Sequence, residues 1–489
     1  MTTNALPLLA DFGDRFSPIL VKELRQGLRT RFFTAALLLF HSFIILLLAS
    51  VLLEAPVQAV NGIFWGVAGL MLLVVLPLRA FNELNAESSD GTLDMLTLTS
   101  IPSFRILGGK WLALFSQSLL VAGSLLPYIV ARYYFGGVEI LREAVALIVL
   151  VLASGMITAA LLAFSSQKSV LLRIALAVGI GFGAAPLGFF TAFLVSASEA
   201  DSLLREFFAL ETWEQWSLCG GIVALAVYVI WFFLALGTSR IAPPSENHST
   251  RKRVIVLAAH ILLTLIGWLL ACFGHEAEYA MWAFVPLIPL TLLATMDVLT
   301  ENMPRFPTAV VGLAGKGRSG RLFGRVLHPG WPSGVLYSTI LIALTMSVIV
   351  GVIIRTRYSR WDEFSVGMLV LLLAAFPPVL LRINRTNLFA NWWVVQVCMV
   401  CTGVLLAIFC EGVGVRELGF VGQVTPITTL FGAEVVGHAN SDGVLQMGCG
   451  FALLWMVAAC VRALRNFPAY TALEKEAQQL NPPRHDPAE

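Results

Sequence analysis

The sequence predicts an all-α polytopic membrane protein of about twelve transmembrane helices, laid out as two six-span halves behind an N-terminal amphipathic helix. Three observations carry that prediction. Hydrophobic residues make up 58% of the 489-residue chain and charged residues only 13%, against roughly 25% charged in soluble domains. Apolar runs of about 18 to 22 residues recur along its whole length, each able to cross a hydrocarbon core of about 30 Å as a helix. The cations are also unevenly placed. With a cytoplasmic N-terminus and alternating spans, all but Arg132, Arg142, Arg205, Arg355, Arg357, Arg360 and Arg416 of the 32 Lys and Arg fall inside, as the positive-inside rule requires.

Residues 1–32 are expected to be a cytoplasmic N-terminus with no secretory signal, because the first long apolar run starts only after residue 31. Within them Ser17 and Pro18 suit a helix N-cap and first helical position. Leu20, Leu24 and Leu28 then repeat every four residues while Lys22, Arg25, Gln26 and Arg29 take another face. The pattern predicts a helix lying on the membrane surface with its basic side toward anionic headgroups. A topogenic positive flank would explain the charge, but not the capped periodicity.

The first half, 33–238, has spans expected near 33–53, 62–80, 107–131, 144–164, 174–196 and 217–237. Its outer segment 196–216, rich in acids and ending at Trp213 and Trp216, reads as an interfacial helix. A polar, Pro-containing, basic cytoplasmic linker, 239–253, divides the halves. The second half, 254–463, has spans expected near 254–273, 281–299, 334–354, 366–381, 392–410 and 446–463. Residues 464–489 form a cytoplasmic tail expected to be disordered after a short helical start. Two places fit the alternation poorly. Arg355, Arg357 and Arg360 fall outside, and 411–445 is apolar enough for a re-entrant piece yet is interrupted by Pro426 and Glu434.

Each half carries its largest cytoplasmic loop between its second and third spans, at 81–106 and roughly 300–333 by the span rule. In the first loop Glu83, Glu87, Asp90 and Asp94 are too costly for hydrocarbon. Ser88, Ser89 and Asp90 supply cap chemistry, Thr92 to Thr99 can form a short helix presenting Leu93 and Leu96, and Ser100 to Pro102 break it. Arg105 and Lys110 supply the positive flank of the third span. The short helix has an apolar face with nothing obvious in its own chain to cover it, which predicts a partner. The second loop holds Arg305, Lys316, Arg318, Arg321 and Arg325, as a loop facing anionic lipid would; a degenerate second partner contact is the sharper alternative. Neither aromatic interleaving nor a fold signature points to nucleic acid.

Two of these stretches resemble the type-2 permeases of ATP-binding-cassette (ABC) transporters. Their surface "elbow" reads approximately N-P-[IV]-L-x-K-E-L-R-x-x-x-R, and "SPILVKELRQGLR" places Pro18, Lys22, Glu23, Leu24, Arg25 and Arg29 in register. Their loop between the second and third spans reads E-x-x-x-G-T-L-E-x-L-x-x-T-P-x-S-x-x-x-I-x-x-G-K. Glu87, Gly91, Thr92, Leu93, Leu96, Thr99, Ile106, Gly109 and Lys110 fall on it without a gap, while Asp94 replaces Glu, Ser100 replaces Pro and Pro102 replaces Ser. The resemblance covers residues 17 to 135, and the second half shows no such motif. It implies that the loop is a coupling helix docking, through Glu87, Gly91, Thr92, Leu93, Asp94, Leu96, Thr99 and Lys110, into an ABC ATPase subunit. ATP and Mg would sit on that subunit, with no cofactor bound by this chain. It further implies a multi-pass protein of the cell (inner) membrane with both termini cytoplasmic, in contact with membrane lipids, in one or two copies.

The chain is not expected to be an enzyme. A P-loop needs G-x-x-x-x-G-K-[ST], and "GLAGKGRSG" at 312–320 has the wrong spacing and Gly317 where the hydroxyl should be. Zinc-protease and nucleophile-elbow patterns are missing too. Cys398 and Cys401 lack polar neighbours and read as packing residues. His41 and His260 are the embedded histidines, expected to hydrogen-bond between helices, and Arg79, Asp297 and Glu54 sit near span ends where side chains can snorkel. An ion-gradient-driven carrier, or a non-transporting scaffold for an ATPase, is the alternative to an ABC permease.

Overall fold

The computed structural model describes residues 18–51, 53, 56–89, 101–135, 140–167, 173–175, 177–179, 213–243, 246–274, 280–314, 317–356, 360–381, 387–414, 421–436 and 441–480. Among them there are helices and connecting turns but no strand. Nine of these helices are long and apolar enough to cross a membrane, and two shorter apolar ones cover Ala283–Leu299 and Phe364–Leu380. The chain is a multi-pass membrane protein, and exposed side chains such as Leu39, Leu46, Leu262 and Ile408 cover the outside of its spans. Most of the expected fifth span, the outer segment up to Trp213 and the short helix at 92–99 lie outside the described residues.

The chain divides into two compact units, Met1–Ala242 and Pro243–Glu489. In the first, α1 (Pro18–Leu28) precedes α2 (Arg31–Val51), and the second span runs from α3 (Val57–Gly69) to α4 (Glu83–Ser89). Between those two the helix widens into a π turn at Leu70–Val75 and tightens into a 3-10 turn at Pro77–Asn82. Pro77 is the cause: it has no N–H to donate and its ring crowds the preceding turn, so Leu76 N–H reaches back five residues to Met71 O at 3.1 Å. After the loop come α5 (Ser103–Phe135), α6 (Ile140–Phe164) and α7 (Trp213–Ile241).

Lipid tails are as apolar as leucine, so spans associate through close packing and directional bonds. Trp111 Nε1 donates to Gly155 O at 3.0 Å and Ser154 Oγ to Ser118 Oγ at 2.9 Å between α5 and α6. At the α6–α7 crossing, a Cβ on Gly237 would lie 3.0 Å from Ala163 Cα.

The second unit opens with α8 (Ser249–Phe273) and α9 (Met281–Leu299), followed by the short α10 (Val311–Ala314) and by α11 (Gly317–Leu327). The membrane helix α12 (Trp331–Thr356) lies so close to α9 that a Cβ on Gly334 would fall 2.4 Å from Val298 O. A buried chain of hydrogen bonds from His260 to Thr291 (3.2 Å) and on to Thr345 (2.7 Å) links α8, α9 and α12, around a core of Leu270, Phe284, Leu287, Val348 and Ile349.

Next come α13 (Arg360–Leu373), α14 (Pro377–Leu380) and α15 (Leu388–Val413). Asn387 caps α15 at its start by accepting from Ala390 N–H, and Gly414 ends it at φ 74°, where a side chain would be strained. The 11-residue α16 (Pro426–Val436), about 16 Å long, is too short to cross and packs against α13, α15 and α17 (Ser441–Leu480).

Two expectations need correction. Residues 239–253 are not all linker, because α7 runs to Ile241 and α8 starts at Ser249; the basic residues at its end are the first turn of a membrane helix. Asp297 does not snorkel: it is buried and ion-paired. Arg355, awkward on the outside by charge alone, donates to the carbonyls of Ala271 and Gly274 at the end of α8, where helix dipoles favour a cation.

Candidate functional site

The middle of α1, the exit from the second span and the entry to the third span converge on one side chain. Lys110, in the second turn of α5, is buried with its side chain 1% exposed. Its ammonium lies 2.7 Å from Glu87 Oε1, 3.1 Å from Glu23 Oε1 and 3.5 Å from Glu83 Oε1. Glu83 and Glu87 are one helical turn apart on α4, so both face the same neighbour. Glu23 arrives from α1 because that helix lies flush on α5. A Cβ on Gly109 would come within 3.2 Å of Ile19 Cγ2, and one on Gly27 within 2.4 Å of Gln117 Nε2. Beside the cluster, Arg79 donates to Gln117 Oε1 and to Gly27 O at 3.5 Å. These groups wall a polar cavity of about 120 Å³ lined by Glu23, Arg79, Glu83, Lys110 and Gln117 among others.

The expected site residues thus separate into two sets. Lys22, Arg25 and Arg29 are exposed, whereas Glu23 and Leu24 are partly buried, and Pro18 begins the helix. Of the loop residues, Glu87 and Lys110 turn toward each other, and the Lys110 side chain is buried. Gly91, Thr92, Leu93, Asp94, Leu96 and Thr99 lie outside the described residues.

The second unit has a cluster that sequence reasoning missed. Lys252 Nζ lies 2.6 Å from Asp297 Oδ2 and 3.4 Å from Glu301 Oε1, and Arg253 Nη2 lies 2.6 Å from Glu301 Oε2. Ser249 Oγ at 2.7 Å and Gly330 N–H at 3.0 Å also donate to Glu301. Burial alone would raise the Glu301 carboxyl, but the charges of Arg253 and Lys252, with those two hydrogen bonds, hold it down to about 2. Arg253 extends the network to Val326 O, Gly330 O and Ser333 Oγ. Gly330 makes this turn at φ 114°, which favours glycine.

From the C-terminal helix, Tyr470 donates to Pro329 O at 2.7 Å and Glu474 Oε1 accepts from His328 Nε2 at 3.1 Å. Burial pushes the His328 imidazole below its ordinary value despite that carboxylate. The chain matches no family model, no curated protein and no solved structure.

A third buried pair joins the other ends of α5 and α6. Arg132 Nη1 lies 2.6 Å from Glu143 Oε2, with side chains 2% and 1% exposed. Asn61 Oδ1 accepts from Arg132 Nη2 at 2.6 Å, Trp65 Nε1 donates to Glu143, and the guanidinium sits 4.1 Å above the Phe64 ring. None of the clusters offers a metal site: among the described residues no group of three His, Cys, Asp or Glu could hold an ion. The cysteines Cys398 and Cys401 are free and exposed on α15.

Proposed function

We propose that the chain is the permease subunit of an ABC transporter, embedded in the cell (inner) membrane with twelve spans and both termini cytoplasmic. It would export a substrate at the expense of ATP hydrolysed, with Mg, on a separate nucleotide-binding subunit. The elbow would be α1 and the docking element the loop at 81–106, through residues between Glu87 and Lys110. The observation that carries this reading is the Lys110 cluster. A coupling loop must pass a displacement into the bundle, and here both arms of the loop, α4 and the start of α5, are tied to each other and to α1 by bonds of 2.7 to 3.5 Å. A load on the loop tip therefore reaches three elements together. The motif resemblance supplies the kind of partner.

An ion-gradient carrier draws on one observation, the buried Glu143 carboxylate. Arg132 neutralises it in place, which leaves it poorly suited to carry a proton or cation by itself. The deciding experiment is co-purification with an ATPase subunit from the native membrane, repeated after scrambling Gly91 to Leu96. The complex is expected to be lost while the scrambled chain still inserts, and an intact complex would reject the docking assignment. ATP turnover without substrate movement in proteoliposomes would leave the chain a scaffold.

A further inference from the structure

The helix α11 between the second and third spans of the second unit has three distinct faces. Gly320 and Gly324 are buried against its own chain, with a Cβ on Gly324 falling 2.4 Å from His328 Nε2. Arg321 and Arg325 are exposed on one flank. Leu322 and Phe323, 66% and 60% exposed, form the other. Arg305 and Phe306 repeat the pairing of an exposed cation with an exposed aromatic ring in the same loop.

The height of α11 is fixed. Leu327 O accepts from Thr250 Oγ1 at 2.9 Å and Val326 O from Arg253 at 3.0 Å, both in the first turn of α8, and Trp331 opens α12 directly afterwards. The helix is therefore pinned where two membrane helices leave the hydrocarbon. Between Glu301 and Asp362 the chain has no acidic residue, while Arg305, Lys316, Arg318, Arg321 and Arg325 precede α12.

We infer that α11 is an anionic-phospholipid site: Leu322 and Phe323 enter the acyl boundary of the chain's own bilayer while Arg321 and its neighbours bind lipid phosphates. Charge complementarity selects this occupant, and an interfacial layer accepts a basic flank and an apolar flank on one helix at once. The assignment does not rest on the permease reading.

The test is hydrogen exchange over 317–327 in the full chain, reconstituted in nanodiscs of phosphatidylcholine alone or mixed with phosphatidylglycerol. A basic residue near an anionic surface changes occupancy roughly fivefold, so exchange should be slower by at least about that factor in the mixed lipid, and high salt should erase the difference. Arg321→Gln should speed exchange in the mixed lipid by about fivefold, and Arg321→Lys should leave it unchanged. Arg321 is the residue to change because the Arg325 guanidinium also sits over the Phe467 ring. Equal exchange in the two lipids would overturn the assignment. So would protection that ignores the lipid but responds to an added polyglutamate peptide, which would give the face to an acidic protein.

Discussion

Replacing Lys110 by Met tests whether the cluster that joins α1, α4 and α5 holds the first unit together. The substitution keeps most of the side chain's length and removes its charge, leaving Glu23, Glu83 and Glu87 facing each other across the gap. Breaking a buried pair by deleting one partner costs about 3 to 5 kcal/mol. The three carboxylate side chains keep 12%, 33% and 17% of their surface, so water relieves part of that repulsion and the lower end, about 3 kcal/mol, applies.

For a unit of this size such a loss lowers the unfolding midpoint by about 6 to 12 °C, measurable by thermal unfolding in detergent micelles. Glu83→Gln, at the most exposed and most distant carboxylate, should cost less than about 1 kcal/mol. Adding Glu87→Gln to Lys110→Met should recover stability, with a coupling of about 1 kcal/mol or more. A Lys110→Met shift no larger than that of Glu83→Gln would refute the reasoning, because the ammonium would then be contributing no more than a surface charge.

Two further outcomes are expected from the same assay. Arg132→Met should destabilise by about 3 to 5 kcal/mol, since it strands the Glu143 carboxylate, whereas Arg132→Met combined with Glu143→Leu should regain most of the loss; failure of the double variant to recover would show that Asn61 and Trp65, not the ion pair, fix that corner. Stability should also fall on acidification below about 6.5, because His328 takes up its proton less readily folded than unfolded. The stabilisation is complete above that value and is lost toward the lower folded value, so His328→Gln should make this part of the stability–pH curve shallower. The Glu301 contribution persists further into acid, from its ordinary 4.5 down to about 2.

What the sequence made legible follows from the range of the forces involved. Spans are written locally, in apolar runs, so an expected helix at 33–53 appears as Arg31–Val51 and one at 392–410 as Leu388–Val413. The distortion at Pro77 is local in the same sense, because the lost N–H and the ring clash act within one turn. The clusters were not legible. Glu23, Glu87 and Lys110 were singled out by motif, yet the pairing that joins them spans 87 and 23 positions and leaves no periodic trace. Lys252 and Arg253 looked like linker residues for a related reason. The positive-inside rule says on which side of the membrane a cation lies, not whether it points to lipid, water or a carboxylate. The acids at 297 and 301 were the available signal, two carboxylates one turn apart at the end of a span, facing a pair of cations at the start of its predecessor.

The two units tie their helix ends together with opposite placements of charge. In the first, acids on α1 and α4 meet a cation at the start of the third span. In the second, cations in the first turn of α8 meet acids at the end of the second span, and the start of the third joins through Gly330 and Ser333. Neither arrangement is an efficient source of net stability, since desolvating such groups offsets most of their attraction. Their effect is positional. Apolar packing in a bilayer holds helices together without fixing how far one slides past another, whereas a carboxylate seated 2.6 Å from a guanidinium fixes that height. Both clusters sit at helix ends, those of α4 and α5 in one unit and of α8, α9 and α12 in the other, so each fixes the relative height of its own helices there.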